Sequence, residues 1–345
     1  MVPPMWKIGD LEMDGRVILG PMAGFTSRGY RDFMEPFGVA ASVTEMTSDM
    51  GIIHGASRTE DSFVMFESEK PTGLQLFGHD PESMAKAAVR ALEINPNIAF
   101  FDVNMGCPVP KVSRSGAGCV LMKDPKLCGE IVRQMKRAVD VPVTVKFRLG
   151  WTASTMNYMD VLEEIVSAGA DAVTLHPRTR DERYLGTPHY DLIEGLGKEL
   201  SVPLIISGNI FSLDDAIIAK RVSCAEGIMV ARGGVGNPFL VRQIDTYFRE
   251  GTRLENPTIS QQVHWCLELA DLLIEERGDV EAMARMRSMG PKFIAGCDGS
   301  REYRYLLATE TVDRDSLLDL LMEVEHYLGD QRIHVYTFLD CFRDL

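Results

Sequence analysis

The sequence predicts a TIM (β/α)8 barrel followed by a C-terminal all-helical domain. Short apolar runs rich in β-branched residues recur about eight times in the first two thirds of the 345-residue chain. A barrel of this class takes eight parallel strands and roughly 250 residues. Between the runs, apolar residues recur at the spacing of helices that pack on one face. Alternating strands and helices indicate a parallel sheet, and eight repeats favour its closure.

The predicted strands are almost continuously apolar, which is typical of strands buried on both faces. They are VILGPM (17–22), ASVTEM (41–46), TGLQLF (72–77), AFFDVNM (99–105), PVTVKFR (142–148), DAVTLHP (171–177), VPLIISG (202–208) and EGIMVAR (226–232). Amphipathic stretches such as VHWCLELADLLIEE then continue to the end of the chain. We therefore assign residues 1–255 to the barrel and residues 256–345 to a helical domain.

Composition narrows the class of protein. No apolar run approaches the roughly 20 residues of a membrane span, and the first residues do not have the pattern of a signal peptide. We therefore expect a cytoplasmic protein. We also expect it to be a monomer. The seven cysteines include no C-x-x-C pair, which argues against a disulfide framework or a structural zinc site. Neither they nor the histidines have the spacing of metal ligands, so we predict no metal.

The net charge of −14 argues against a protein that wraps nucleic acid, because phosphate contacts require clustered Lys and Arg. An RNA partner would have to meet a local basic patch. Residues 258–345 contain nine Lys or Arg against seventeen Asp or Glu. The candidate patch in this region consists of Arg285, Arg287, Lys292, Arg301 and Arg304.

Polar residues follow most of the predicted strands at the point where each strand ends. In a barrel these ends form the active-site face. The positions are Pro21-Met22-Ala23-Gly24, Thr44-Glu45, Gln75, Asn104, Gly106-Cys107-Pro108, Lys146, Arg148, His176, Arg178, Ser207-Gly208-Asn209 and Arg232-Gly233-Gly234. Because polar residues recur at the carboxyl ends of so many strands, we predict a functional site at this face of the barrel.

Several of these segments together resemble the tRNA-dihydrouridine synthase family. They are PMAG, QLFG, NMGCPVPKVSRSGAG, VKFRLGW, HPRTR, SGN and ARGGVGNPF, and they match in order and spacing over about residues 16–240. The stretch GCPVPKV…GAG followed by VKFRLGW is the specific part, whereas PMAG alone is weak. The resemblance implies an FMN-dependent enzyme that reduces uridine in tRNA to 5,6-dihydrouridine with NADPH or NADH.

The same resemblance assigns an FMN site, whose parts have physical roles. Backbone N–H groups after strands seven and eight suit a phosphate, and Arg232 adds a charge-assisted contact. A cation at Lys146 beside the N1–O2 edge of the ring would stabilise the negative charge of the reduced flavin. The residues assigned to FMN are Pro21, Met22, Ala23, Gln75, Lys146, His176, Ser207, Gly208, Asn209, Ala231 and Arg232.

Cys107 is the candidate catalytic residue. It lies between Gly106 and Pro108 on a loop, a setting that presents a thiol to a pocket. The resemblance makes it the general acid: hydride passes from N5 of reduced FMN to C6 of uracil, and Cys107 delivers a proton to C5. A thiol with a pKa of about 8.5 is protonated at neutral pH. The alternative interpretations are a structural thiol at Cys107 and an ion pair of Lys146 with Glu45 or Asp102.

Substrate contacts are predicted at two places. Asn104, Arg148 and Arg178 end barrel strands, and the helical domain contributes the basic residues Arg285, Arg287 and Lys292. The wider cluster of Arg178, Arg180 and Arg183 follows strand six. It is interpreted either as a solvated loop or as a contact for an anionic substrate.

The sequence departs from the family pattern at four sites, one of which is His176-Pro177-Arg178, where a glycine commonly separates the histidine and the arginine. Ser207-Gly208-Asn209 stands where the family usually has Asn-Gly-Asp, and Ala231 stands where it has glycine. The basic-aromatic R-K-H…W-Y stretch is replaced by Arg285 to Gly290. Two other functions therefore stay open: reduction of a small unsaturated molecule on the same barrel, and a catalytically silent binding module.

Overall fold

A computed structural model describes residues 6–55 and 70–345. Its centre is a closed barrel of eight parallel strands, as the sequence predicts. The barrel strands are β3 Val17–Leu19, β4 Val39–Val43, β6 Thr72–Phe77, β7 Phe100–Met105, β8 Val143–Gly150, β9 Ala172–Thr179, β10 Leu204–Ser207 and β11 Gly227–Val230. Each of them overlaps one of the eight predicted apolar runs, so the strand prediction is confirmed.

The strands lie in chain order around the barrel, and β3 pairs with both β4 and β11. Pairing of β4 with β6 closes the ring, through Ser42 opposite Thr72 and Val43 opposite Gly73. A two-residue strand, β5 Thr47–Ser48, extends the edge of β6. Because all eight barrel strands run parallel, their carboxyl ends meet at one face.

Helices connect the strands on the outside of the barrel. They are α1 Arg28–Met34, α2 Asp49–Ile53, α3 Pro81–Ile94, α4 Pro110–Ser113, α5 Pro125–Ala138, α6 Tyr158–Ser167, α7 Leu196–Glu199, α8 Leu213–Ser223 and α9 Phe239–Glu250. Local sequence fixes several of their starts. Asp80 caps α3 by accepting from the Ser83 backbone N–H at 2.8 Å, with Pro81 in the first helical position.

An antiparallel hairpin precedes the barrel and was not predicted. It consists of β1 Trp6–Ile8 and β2 Leu11–Met13. Trp6, Ile8 and Met13 are buried against inward-facing strand residues such as Phe100 and Met229. The hairpin therefore closes the amino-terminal end of the barrel, opposite the carboxyl ends of its strands.

Four helices follow the barrel within the described residues: α10 Ile259–Arg277, α11 Asp279–Phe293, α12 Ser300–Thr309 and α13 Arg314–Leu328. Glu276 near the end of α10 accepts hydrogen bonds from the Ser27 hydroxyl at 2.8 Å and the Gly29 backbone N–H at 3.0 Å. A carboxylate from the C-terminal helices thus caps the first barrel helix. Division of the chain at residue 255 stays a prediction. Within the described ranges, no helix is both long and apolar enough to cross a membrane.

Candidate active site

A cavity of about 370 Å³ lies at the carboxyl ends of the barrel strands. This volume falls in the range of small-molecule and cofactor sites. Most of the residues selected from the sequence line it. They are Pro21, Met22, Ala23, Gln75, Asn104, Cys107, Lys146, Arg148, His176, Ser207, Gly208, Asn209, Ala231 and Arg232. Strand ends from β3 to β11 therefore converge on one pocket.

Arg178 does not line this cavity. Its side chain is fully buried, and its guanidinium donates to the Leu185 carbonyl at 3.1 Å, to the Gly186 carbonyl and to Asn209 Oδ1 at 3.2 Å. The expectation of a solvated loop is therefore wrong for Arg178, because the chain itself supplies its acceptors. Arg178 ties the loop after β9 to the loop after β10.

The three cations selected from the C-terminal helices also lie away from the cavity lining. Arg285 Nη1 donates to the Gly24 carbonyl at 2.9 Å, and Arg287 Nη1 donates to the Thr311 carbonyl at 2.8 Å. The Lys292 ammonium stands 4.7 Å from the centre of the Phe25 ring. Arg285 and Lys292 thus contact the loop after β3, on which part of the cavity is built.

Cys107 is half-buried on the cavity wall. Its loop is held at two points, since its backbone N–H donates to Asn104 Oδ1 at 2.9 Å and its carbonyl accepts from the Cys119 N–H at 3.2 Å. Burial raises the pKa of the Cys107 thiol, and the nearby cations Arg148 and Lys146 oppose this only in part. The thiol therefore carries its proton at neutral pH.

Lys146 reaches the cavity from β8. It forms no ion pair with Glu45 or Asp102, so that alternative interpretation is not supported by the structure. Burial, followed by repulsion from Arg148, lowers the pKa of Lys146 to about 8, while Asp102 and Cys107 act in the opposite direction. Its charge is therefore retained at neutral pH and lost just above it.

The neighbouring His176 is neutral. Its Nε2 lies 3.1 Å from Arg178 Nη1, and because a guanidinium only donates, Nε2 must accept and the ring proton must lie on Nδ1. Burial and the surrounding cations hold the pKa of His176 well below its usual value. The site thus offers a neutral imidazole beside charged Lys and Arg side chains.

Comparison with known proteins identifies this arrangement. A family model described as dihydrouridine synthase matches residues 18–326. The probable tRNA-dihydrouridine synthase 1 of Synechocystis is 35% identical, over 80% of this chain and 78% of the relative. The tRNA-dihydrouridine synthase B of Pseudomonas putida is 33% identical, over 86% of this chain and 88% of the relative. The chain belongs to the dihydrouridine synthase family.

Among solved structures, histamine dehydrogenase from Rhizobium sp. 4-9 has a TM-score of 0.52 at 15% identity, over 78% of this chain and 50% of that chain. This likeness concerns the barrel fold alone. Family membership makes the chain an oxidoreductase enzyme. Among the described residues, no group of three His, Cys, Asp or Glu side chains is placed to hold a metal ion.

Asn209 marks a departure from the usual dihydrouridine synthase pattern. Its backbone has a left-handed φ of 54°, and its Oδ1 accepts from Arg178 Nη2 at 3.2 Å and from Arg232 Nη2 at 3.3 Å. An aspartate here, as in the usual family triplet, would neutralise one of the two guanidinium charges. With a neutral amide in its place, the described residues that line the cavity include Lys146, Arg148 and Arg232 and no carboxylate.

We expect the substitution Asn209→Asp to weaken flavin binding about tenfold at low ionic strength. A new carboxylate beside Arg232 would repel a flavin phosphate. One charge pair about 6 Å apart is worth about 0.7 kcal/mol in water and about 3 kcal/mol at an effective dielectric of about 20, and a tenfold loss lies between these limits. The dissociation constant is measured from flavin fluorescence on titration with apoprotein. The isosteric change keeps the shape of the site, so an unchanged affinity would mean that the phosphate does not bind beside Asn209.

Tyr184 lines the cavity but was missed in the sequence. Its side chain is 50% exposed, and its ring lies 4.7 Å from the Arg232 guanidinium carbon and 5.4 Å from that of Arg148. Sequence reasoning singled out the arginines of this loop and passed over the aromatic residue among them. The strand-end positions Gly106, Pro108 and Gly233 also line the cavity, and the other lining residues that the sequence did not select are Phe25, Met46, Val109, Ile210, Phe211 and Met229.

Proposed function

We propose that this enzyme reduces uridine in tRNA to 5,6-dihydrouridine, with FMN as its cofactor and NADPH or NADH as the reductant. One observation carries the proposal: a protonated thiol, Cys107, and a cation, Lys146, line the same cavity at the barrel face. A ring reduction of this kind needs a proton donor and a group that stabilises negative charge.

The residues present fit FMN. A flavin mononucleotide combines a flat apolar ring with an anionic phosphate, and the cavity offers Pro21, Met22 and Ala23 near one part of its wall and Arg232 at another. The cations Lys146, Arg148 and Arg232 among the described lining residues also favour an anionic ligand. When bound, FMN would supply the hydride for C6 of uracil and would be re-reduced by the nicotinamide.

The chain itself supplies the proton. Cys107 would hold its proton until the ring accepts it at C5, and the raised pKa of the thiol keeps it in this form at neutral pH. Arg148 holds the surrounding wall, since its Nε donates to the Gly106 carbonyl at 2.9 Å and its Nη1 to the Arg183 carbonyl at 2.8 Å. We propose that Asn104 and Arg148 contact the uracil beside Cys107.

A polyanionic substrate is supported by the rim of the cavity on the β7 to β9 side. Lys111, Arg114, Lys123 and Arg183 are exposed there, and none of the four forms an ion pair with a described carboxylate. Nearby acidic side chains are already engaged, as Asp181 pairs with Arg180 at 2.8 Å. Unpaired cations of this kind suit phosphate contacts.

The C-terminal helices present a different surface. Arg314 pairs with Asp271 at 2.6 Å, and Arg277 pairs with Glu281 at 3.0 Å. Arg285 and Arg287 bind carbonyl groups within the chain. Arg301 and Arg304 are exposed on α12 and form no ion pair with a described carboxylate. Because the rim has four exposed cations of this kind among the described residues and the C-terminal helices have fewer, we propose that the RNA backbone docks mainly on the barrel rim.

We expect the double substitution Lys111→Gln/Arg114→Gln to weaken tRNA binding and to reduce the slope of log Kd against log salt concentration by about 1 to 2, because each lost phosphate contact removes nearly one released counterion. Filter binding or fluorescence anisotropy over a salt series measures this slope. Arg301→Gln/Arg304→Gln removes the same charge from α12 and is the matched control. If only the control changes the slope, the RNA docks on the helices and the rim assignment is wrong.

The proposed reaction is tested by incubating unmodified tRNA with purified flavin-loaded protein and NADPH, followed by mass spectrometric quantification of dihydrouridine. Formation of dihydrouridine is the expected result. If the protein oxidises NADPH with a small pyrimidine or enoate as acceptor but leaves every uridine intact, it is a small-molecule reductase. If it binds flavin and tRNA but reduces neither, it is a silent binding module.

A further inference from the structure

A buried carboxylate lies directly beneath the cavity. Asp102 is on β7 two residues before Asn104, so both side chains point to the same face of the strand, with Asp102 one layer deeper in the barrel. Asp102 is 1% exposed and does not line the cavity. In the strand register, its neighbours are Gln75 on β6 and Thr144 on β8.

Hydrogen bonds connect this carboxylate to the cavity wall. Its Oδ1 accepts from the Thr144 hydroxyl at 2.7 Å, and its Oδ2 accepts from Gln75 Nε2 at 2.7 Å. Gln75 Oε1 then accepts from Asn104 Nδ2 at 2.8 Å. Because both oxygens of Asp102 accept hydrogen bonds in this arrangement, Asp102 determines which end of the Gln75 amide faces it and which end faces Asn104.

The chain of hydrogen bonds from Asp102 continues, with the same donor-to-acceptor order, to the loop that contains Cys107. With its Nδ2 turned to Gln75, Asn104 presents Oδ1 to the backbone N–H groups of Gly106 at 3.2 Å and Cys107 at 2.9 Å. Turning either amide over would place a donor against a donor or an acceptor against an acceptor. The buried Asp102 carboxylate thus fixes the orientations of the Gln75 and Asn104 amides and, through them, the position of the Cys107 loop.

Asp102 also acts on Lys146 through its charge, although the two side chains form no ion-pair contact. The charged and titratable groups that face Lys146 are Arg148, Asp102, Cys107 and His176. Arg148 lowers the pKa of Lys146, whereas Asp102 and Cys107 raise it. Burial raises the pKa of Asp102, while the hydrogen bonds from Gln75 and Thr144 and the charge of Lys146 oppose this rise. Because Cys107 is neutral at neutral pH, Asp102 is the acidic group among them that can balance the charge of Lys146.

We propose that Asp102 is a positioning residue: its carboxylate sets the orientation of the Gln75 and Asn104 amides and thereby fixes Cys107 at the cavity wall. The kinetic consequence rests on the function proposed above, whereas the placement of Cys107 does not. Asp102 acts through these neighbours and need not touch the uracil or the flavin.

The substitution Asp102→Leu tests this placement, because it removes the acceptor at similar volume. We expect Cys107 in the flavin-loaded protein to react with iodoacetamide at least about fivefold faster, since its loop loses its anchor. Peptide mass spectrometry reports this rate, with the exposed Cys341 as an internal reference. The kcat of dihydrouridine formation should fall at least about tenfold while the KM for tRNA stays within about twofold.

Thr144→Val is the matched control. It removes the other hydrogen bond to Asp102 in the same buried layer but leaves the connection to Gln75 in place. We expect both the alkylation rate and kcat to stay within about twofold of wild type. If Asp102→Leu does not fold, Asp102→Ala serves instead, because it also removes the acceptor. Wild-type behaviour of a folded variant that lacks the acceptor would overturn the proposal.

Asp102→Asn separates charge from hydrogen-bond direction. Its Oδ1 still accepts from Gln75, and its Nδ2 donates to Thr144, whose hydroxyl turns to the Phe101 carbonyl 3.3 Å away. Alkylation of Cys107 should stay near the wild-type rate, but activity should be lost at a pH about one unit lower, because Lys146 has lost its countercharge. An unchanged pH profile contradicts the countercharge role. If wild-type protein forms no dihydrouridine, the proposed function fails, and the alkylation comparison still decides the placement.

Discussion

The substitution Cys107→Ala is expected to lower the rate of dihydrouridine formation at least about a hundredfold, the usual range for loss of a general acid. FMN binding and the oxidation of NADPH should stay within about twofold of wild type, because neither step consumes the thiol proton. Dihydrouridine in tRNA is quantified by mass spectrometry, and NADPH oxidation is followed by absorbance. If dihydrouridine is no longer formed while the flavin is still reduced by NADPH, the step that has been lost is proton transfer to uracil.

Cys119 provides the matched control for this experiment. It lies close to Cys107, donates its backbone N–H to the Cys107 carbonyl at 3.2 Å, and is fully buried with its sulfur 3.8 Å from the Ser113 hydroxyl. Cys119→Ala removes a neighbouring thiol without removing the donor, so its activity should stay within about threefold of wild type. An inactive Cys119 variant beside an active Cys107 variant would reverse the assignment.

The barrel was predictable because its strands are buried on both faces and therefore appear as apolar runs. The run TGLQLF, for example, coincides with β6 from Thr72 to Phe77. The hairpin of Trp6–Ile8 and Leu11–Met13 was missed, although W-K-I and L-E-M alternate apolar and polar residues around Gly9-Asp10. Three-residue strands give too short a pattern to stand out from a loop.

Placement of the cavity residues was predictable for a different reason: parallel strands bring their carboxyl ends together whatever the packing of the helices. The hydrogen-bond partners of the arginine side chains could not be predicted from the sequence. In the sequence, Arg178 and Arg285 both appear as basic residues near a site. In the structure, Arg178 is buried and donates to the loop after β9, whereas Arg285 donates to the Gly24 carbonyl, 261 residues away in the chain. Such long-range acceptors are set by tertiary packing, which no local pattern encodes.

Loss of the cation at Lys146 is the second substitution with a large expected effect. Lys146→Met should lower the rate of dihydrouridine formation about a hundredfold or more, the magnitude seen when one preorganised charge-stabilising group is removed. The midpoint potential of bound FMN should also fall, because a nearby positive charge favours the reduced, negatively charged ring. A potential equal to that of the wild type would place Lys146 away from the flavin ring.

The charge of Lys146 also predicts how the rate of dihydrouridine formation depends on pH. Since the pKa of Lys146 is lowered to about 8 and its charged form is the active one, activity should be present below this pH and decline as the pH rises through it. Lys146→Arg keeps a charge that does not titrate in this range, so its profile should lose this limb and fall only where the Cys107 thiol deprotonates, whose pKa burial raises. If Lys146→Arg is active but still declines near pH 8, the limb belongs to another group. If the limb is removed, the charge on Lys146 and the proton on Cys107 are separate requirements of the same reaction.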